Sequence, residues 1–107
     1  MELTPSEKFN AMNGQHKNLK ECEGQEILPV AVLTYTYTGA DGKEHSVLVI
    51  KDGETDDFYK TEVKAFQEKF AAYVEAFWPV PDEERPRIRI IIKTSKKNNK
   101  YVNFELV

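Results

Sequence analysis

The sequence has few of the residues that build disulfides and thiolate or imidazole metal sites. Among 107 residues there are one cysteine and two histidines. Cys22 cannot form an internal disulfide, and with His16 and His45 it cannot supply the four ligands of a zinc site. We therefore expect a domain that is stabilised by an ordinary core of buried apolar side chains.

Long apolar runs and catalytic motifs are also missing. No apolar stretch approaches the length that spans a membrane, and the first 18 residues have no signal-peptide core, so we expect a cytoplasmic protein. There is no glycine-rich phosphate loop, nucleophile elbow or carboxylate pair suited to hydrolysis. Asp52, Asp56 and Asp57 do not have the spacing of an EF-hand loop. We predict a binding protein without a cofactor, not an enzyme.

Charge is distributed unevenly along the chain. The net charge is −3 and the pI is about 5.4, which argues mildly against a nucleic-acid partner. Residues 85–107, however, contain seven Lys or Arg and one Glu and carry +6, whereas residues 1–84 carry −9. A bound strand senses the local field, because charges beyond a Debye length are screened. The basic segment therefore remains a candidate phosphate-binding surface.

Alternation of apolar and polar residues, together with many β-branched side chains, predicts five strands. The predicted strands cover residues 27–38, 45–51, 58–61, 87–94 and 100–107. Gly39 and Gly42 bound a turn that joins the first two strands as a hairpin. Pro29 belongs near the start of its strand or at a sheet edge, because it cannot donate a ladder hydrogen bond.

One helix is predicted between the third and fourth strands. Apolar residues recur at three- and four-residue steps through residues 62–78 (Val63, Phe66, Phe70, Val74 and Phe77). We expect Thr61 to cap its N-terminus, and Pro79 and Pro81 to end it.

This order of elements predicts a mainly β fold. A five-stranded barrel with one α-helix between strands 3 and 4 is the OB-fold arrangement. A split α+β sheet and an SH3-like barrel are the alternatives. We expect residues 1–107 to form one domain, with a partly flexible N-terminus over about residues 1–18 and a short ordered lead-in at residues 19–24.

OB-folds bind single strands by stacking bases on aromatic side chains and pairing phosphates with Lys and Arg. The candidate nucleic-acid-binding residues are Tyr35, Tyr37, Lys51, Tyr59, Arg89, Lys93, Lys96, Lys97, Lys100 and Tyr101. Tyr35 and Tyr37 share one face of the first strand. Residues 94–101 combine three lysines with Tyr101 in the turn between the last two strands. Strand parity groups Phe104 with Val102, so we assign Phe104 to the core and Tyr101 to the binding surface.

Short motifs add a family resemblance. Phe9-Asn10-Ala11 is followed by Lys17-Asn18-Leu19 and then by Gly24 and Ile27. With the order of the later segments, these residues resemble the small single-stranded-DNA-binding proteins of tailed phages that replicate linear genomes by protein priming. The chain departs from that family in its Lys96-Lys97 turn and in the acidic linker at residues 81–84.

The resemblance implies a protein that coats and protects displaced single strands during phage DNA replication, without sequence preference and without a cofactor. It implies stacking roles for Tyr35, Tyr37 and Tyr101, and a location in the cytoplasm of the infected bacterial host. Single-stranded DNA is the expected partner, and RNA, a second copy of the chain and replication proteins stay open. No membrane partner is expected.

The negative net charge of the chain leaves a second class of function open. Acids cluster at residues 52–57 and 82–84, outside the basic segment. A small protein-interaction module, such as a phage-encoded inhibitor of a host enzyme, would use such a surface to bind another protein.

Overall fold

The computed structural model describes residues 3–14 and 16–107, which form two helices and seven strands. The elements in chain order are α1 (Pro5–Asn13), β1 (Lys17–Asn18), β2 (Glu26–Ile27), β3 (Pro29–Thr38), β4 (Glu44–Asp52), β5 (Phe58–Thr61), α2 (Lys64–Phe77), β6 (Ile88–Thr94) and β7 (Lys100–Leu106). Two single 3₁₀ turns, Leu19–Glu21 and Asp82–Glu84, lie between them.

The strands form two sheets. The four-stranded sheet has the order β1-β5-β4-β3, and the three-stranded sheet has the order β2-β6-β7. All pairs are antiparallel except β1 with β5. The β3–β4 hairpin turns through Gly42, whose φ of 76° is one that glycine adopts without strain.

One stretch of chain belongs to both sheets. β2 pairs with β6 through Ile27 and Ile88, and two residues later Pro29 begins β3 in the other sheet. The residue between β2 and β3 is Leu28, whose N–H donates a hydrogen bond to the Asp52 carboxylate at 3.3 Å. The pairing of β3 with β4 shifts register just after Pro29. The two sheets are therefore linked by this continuous segment.

The main core lies between the two sheets and α2. Its large members come from both sheets and the helix: Leu19, Ile27, Leu48, Ile50, Tyr59, Phe66, Phe70, Tyr73, Ile88, Ile90, Val102 and Phe104. Phe104 contacts Phe66 and Phe70 with ring centroids 4.9 and 6.0 Å apart. The Tyr73 hydroxyl donates to the Pro86 carbonyl at 2.7 Å, and burial raises its pKa to about 12.

A second, smaller core lies on the opposite face of the four-stranded sheet. Helix α1 covers this outer face and buries Leu3, Ala11, Ala31, Val47, Val49 and Phe58. Thr4 and Glu7 form a capping box at the start of α1, and Pro5 occupies its first turn. Both faces of the sheet are therefore covered along part of its length.

The predicted mainly β class is confirmed, but the described residues contain no closed barrel. Two sheets and two helices replace the five-stranded barrel with one helix. The five predicted strands are all present, with ends that differ by at most two residues. The additional strands β1 and β2 are two residues long, too short for an alternation pattern to reveal.

Two further expectations need correction. The predicted helix at residues 62–78 is α2, but Thr61 is not its N-cap, because Thr61 ends β5 and its hydroxyl accepts from Val63 N–H ahead of the helix. Of the segment predicted to be flexible, residues 5–13 are helical, and residues 1, 2 and 15 lie outside the described residues.

Candidate nucleic-acid interface

The structure places Tyr35 and Tyr37 together beside a groove on the outer face of β3. Tyr35 is partly buried against the second core, and Tyr37 is 42% exposed. The groove has a volume of about 400 Å³, and its walls include Met12 from α1 and Lys60 from β5. This is a surface of the right size and chemistry for an aromatic ring.

The same groove is flanked by acids. The Tyr37 hydroxyl donates to Glu62, and burial together with this hydrogen bond raises the Tyr37 pKa. The Tyr37 ring stacks on His45 at 5.0 Å, and His45 lies between Asp41 at 3.4 Å and Glu62 at 3.3 Å. Lys60 is the one cationic side chain among the described residues that line this groove. A phosphate is therefore poorly matched to this end of β3.

Tyr59 must be removed from the predicted binding set. Its side chain is fully buried in the main core, and its hydroxyl accepts a hydrogen bond from Gln25. The neighbouring Phe58 points to the opposite face and lies under α1, against His16. Because both faces of β5 are covered, neither ring is available to stack on a base.

Lys51 is engaged by α1. Its ammonium lies 2.6 Å from the Glu7 carboxylate and 3.8 Å from Asp56. The hydrogen bond from Lys51 is the largest of the effects that lower the pKa of Glu7 to about 2. The predicted role of Lys51 in phosphate binding would require this pair to open.

The arginines of the basic segment are also paired. Arg89 lies between Glu26 at 3.5 Å and Glu105 at 3.2 Å. Arg87 pairs with Glu54. The Arg85 side chain is 2% exposed and pairs with Asp82 at 2.9 Å. Of the seven positive charges counted from the sequence, three are therefore already neutralised within the chain.

The remaining four positive charges surround the turn between β6 and β7. Lys93, Lys96, Lys97 and Lys100 are exposed, and none of them forms an ion pair with the described acids. The partly buried Tyr101 is directly opposite Lys93 in the ladder, so the two side chains share the outer face of the three-stranded sheet. This end of the hairpin thus combines one aromatic ring with four lysines.

The turn itself is ordered by local hydrogen bonds. Ser95 N–H donates to the Asn99 carbonyl at 2.8 Å, and Asn98 N–H donates to the Ser95 carbonyl at 3.0 Å. Asn98 has a φ of 63°, which asparagine tolerates better than most residues. Lys96 and Lys97 therefore occupy the tip of a compact turn.

The two tyrosine regions lie at opposite ends of the strands. β6 runs antiparallel to β2, and Arg89 is paired with Glu26, so β6 continues away from β3 towards its turn at residues 95–99. β3 continues in the other direction to Thr38. The strand order therefore separates Tyr35 and Tyr37 from Tyr101.

No family model, curated protein or solved structure matches this chain. No helix in residues 3–14 and 16–107 is long and apolar enough to cross a membrane.

Met12 and Lys60 are among the groove residues that the sequence prediction did not include. Met12 is exposed at 45%, and it reaches the groove because α1 docks over the sheet. Lys60 follows Phe58 by two residues and therefore lies on the same face of β5, so its side could have been assigned if that of Phe58 had been known. The signal that would have located Met12 is the Thr4–Glu7 capping box, which marks the start of α1.

Proposed function

We propose that this chain binds single-stranded DNA without sequence preference through the end of the β6–β7 hairpin. One observation carries the proposal. Once the three arginines are paired, four lysines are the unpaired positive charges of the basic segment. Lys96 and Lys97 lie in the β6–β7 turn, and Lys93 and Lys100 lie on the strand ends that flank it. The acids that make the net charge negative lie elsewhere.

This combination suits a flexible single strand. Lysines neutralise phosphates of any sequence, and an aromatic ring stacks on any base. A duplex presents phosphates but no free base faces, so Tyr101 would favour the single strand over the duplex. Lys93 beside Tyr101 would hold the phosphate next to the stacked base.

The strand order supports an open OB-type arrangement. β3, β4 and β5 form the first meander, β2 continues into β3 and pairs with β6, and β6 pairs with β7. The ring is interrupted between β5 and β7, where β1 and the Leu19–Glu21 turn lie and contact both neighbours. The OB-fold is itself a partly open barrel, and its loop between strands 4 and 5 contacts nucleic acid. That loop corresponds here to the β6–β7 turn.

Helix α1 explains why the hairpin is the favoured contact. OB-folds also bind ligands on the face of strands 2 and 3, which correspond to β4 and β5. In this chain α1 covers that face at Val47, Val49 and Phe58. The uncovered basic turn is then the more accessible surface.

The biological role follows from the resemblance of the segments to the phage proteins. We propose that the chain coats displaced strands during phage DNA replication. Coating needs affinity for any sequence, which phosphate and stacking contacts provide.

The first test is titration of a fluorescent oligothymidylate at several salt concentrations, with a duplex of equal length as competitor. Replacing Lys96, Lys97 and Lys100 together by alanine should reduce the log–log salt slope by about 2, because each phosphate contact to a single strand contributes roughly 0.7. In the same assay Tyr101→Ala should weaken binding by about 1–3 kcal/mol, while Tyr101→Phe should retain most of it.

A matched control removes the same charge elsewhere. Lys8, Lys43 and Lys64 are exposed and lie outside the hairpin, so their triple alanine variant should keep the slope of the unmodified chain. If the salt slope of binding falls equally in the two triple variants, the hairpin is not the site. If the unmodified chain does not bind at low salt, the proposed function is wrong.

A further inference from the structure

Strand β3 leaves one edge of the four-stranded sheet open. It is the outermost strand of that sheet and pairs with β4 along its whole length. Within the part of the chain that the structure describes, no strand pairs with its other side over residues 32–38. Alternate backbone N–H and C=O groups there face outward, which is the arrangement that accepts another strand.

This edge has none of the features that usually prevent strand pairing. Residues 32–38 contain no charged residue and no proline, in a chain that is 31% charged. The other outer strands are less available, because β1 and β2 are two residues long and β7 is contacted by the Leu19–Glu21 turn. Charged side chains, proline and short length are the common protections of edge strands.

We propose that β3 is the dimer interface of this protein and pairs antiparallel with β3 of a second copy. The sequence at the end of the strand is palindromic, since it gives the same order in both directions: Thr34, Tyr35, Thr36, Tyr37 and Thr38. A twofold axis at Thr36 places Tyr35 opposite Tyr37 of the other copy and Thr34 opposite its Thr38. Two four-stranded sheets become one sheet of eight strands.

The side chains favour this occupant over an unrelated strand. Aromatic–aromatic and Thr–Thr pairs are favourable across strands, and like charges directly opposite are unfavourable. The twofold pairing provides aromatic–aromatic and Thr–Thr pairs, and it places no charged side chains opposite each other. Exposed aromatic surface lies on the outer face of the same strand, since Tyr37 is 42% exposed and lines the groove that β3 shares with β4, β5 and α1. The second copy would cover part of it.

Strand pairing over five to seven residues buries less than a standard interface, so the dimer should dissociate on dilution. Light scattering coupled to size exclusion should therefore show a mass that rises with concentration from the 12.4 kDa of one chain towards twice that value. This measurement needs no DNA, so its outcome is separate from that of the proposed function.

The axis at Thr36 allows a sharp test by charge. Thr36 is exposed, so Thr36→Lys and Thr36→Glu should both fold, which circular dichroism can check. Each variant alone places two like charges opposite each other and should stay monomeric. An equimolar mixture places Lys opposite Glu and should restore the dimer mass. Ala76→Lys adds the same charge on the exposed side of α2 and should dimerise like the unmodified chain.

Three results would overturn the proposal. The first is a monomer at every concentration, which would leave the edge to a strand of another protein. The second is a dimer that Thr36→Lys does not affect, which would place the interface elsewhere. The third is two monomeric variants whose mixture does not dimerise, which would rule out the axis at Thr36.

Discussion

Arg85 shows how a residue's environment decides its role. The sequence counts it among seven basic residues of a candidate phosphate-binding segment. In the structure its guanidinium donates to the carbonyls of Pro29, Phe77, Trp78 and Val80, and its central carbon lies over the Trp78 ring, 4.3 Å from the centroid. Arg85 therefore ties the end of α2 to the start of β3.

We expect Arg85→Met to lower the free energy of unfolding by about 3 kcal/mol or more, because the four carbonyls and Asp82 lose their partner in a buried site. Urea denaturation measures this loss. Arg87→Met is the matched control, since Arg87 is about half exposed in its pair with Glu54 and should cost at most about 1 kcal/mol. Equal losses in the two variants would contradict the structural role of Arg85.

The positions of Phe58 and Tyr59 could not be predicted from the alternation of residues along the strand. Alternation places the two rings on opposite faces of β5, but it does not say which face is the core. Both rings are buried, Tyr59 in the main core and Phe58 under α1. Tyr59 was a wrong choice for the binding surface because its face of β5 packs in the main core, while α1 covers the other face at Phe58.

Among the elements longer than two residues, helix α1 was not predicted from the sequence. Its apolar residues are too few and too scattered to form a clear stripe, and this led to the expectation of a flexible segment. Its capping signals are nevertheless present, with Thr4 at the N-cap, Pro5 after it and Glu7 three residues on. The helix is held on the sheet by a small core and by the Glu7–Lys51 pair.

We expect α1 to leave the sheet in acid. The hydrogen bond to Lys51, followed by those to Thr4 in the capping box, lowers the pKa of Glu7 from 4.5 to about 2, so the Glu7–Lys51 pair stabilises docking above pH 4.5. That stabilisation is lost as the pH falls from 4.5 towards 2, because Glu7 then takes up a proton. NMR shifts of the Ala11 methyl group and the Phe58 ring can follow the undocking.

Glu7→Gln should weaken docking at neutral pH and remove most of its acid dependence. Glu23→Gln is the control, because Glu23 is exposed and forms no ion pair with the described residues. Undocking that keeps the same pH profile in Glu7→Gln would show that another group controls the helix.

At the scale of the whole molecule, the chain has two cores of unequal size on the two faces of one sheet. The main core joins both sheets and α2, whereas the second core joins only α1 and the outer face of the four-stranded sheet. Regions with little buried apolar surface open at lower free energy than the whole domain. We therefore expect α1 to open before the domain unfolds.

Two truncations test this order. Phe104→Ala should lower the global free energy of unfolding by about 3–5 kcal/mol. Trp78, the single tryptophan, packs against the main core and reports this transition by its fluorescence. Leu3→Ala should instead speed hydrogen exchange in α1 and leave the Trp78 transition nearly unchanged. If Leu3→Ala shifts that transition as far as Phe104→Ala does, the two cores unfold as one.

Charge is also organised at this scale. The four unpaired lysines of residues 85–107 lie in and beside the β6–β7 turn, whereas Asp41, Glu44 and Glu62 lie near the end of β3 at Thr38. A chain with a net charge of −3 can therefore present a local positive field to a strand. In the two proposals, DNA binds at the β6–β7 end of the molecule and a second copy of the chain binds at the free edge of β3.

The sequence by itself determined the five long strands, α2 and the hairpin turns. These follow from alternation, helical periodicity and turn residues, which act between neighbours along the chain. The burial of Phe104 was predicted correctly for the same reason, because parity with Val102 is a local property. The exposed lysines of residues 96–100 likewise follow from a short polar turn.

Only the tertiary structure decided which charges remain unpaired and which faces remain open. Arg85 and Arg89 cannot bind a phosphate as they stand, because they are bonded to residues up to 63 positions away in the sequence. Tyr59 lies in a sheet whose other face is covered by α1. The separation of Tyr35 from Tyr101 depends on the pairing of β2 with β6. Such contacts join distant parts of the chain, and no local pattern records them.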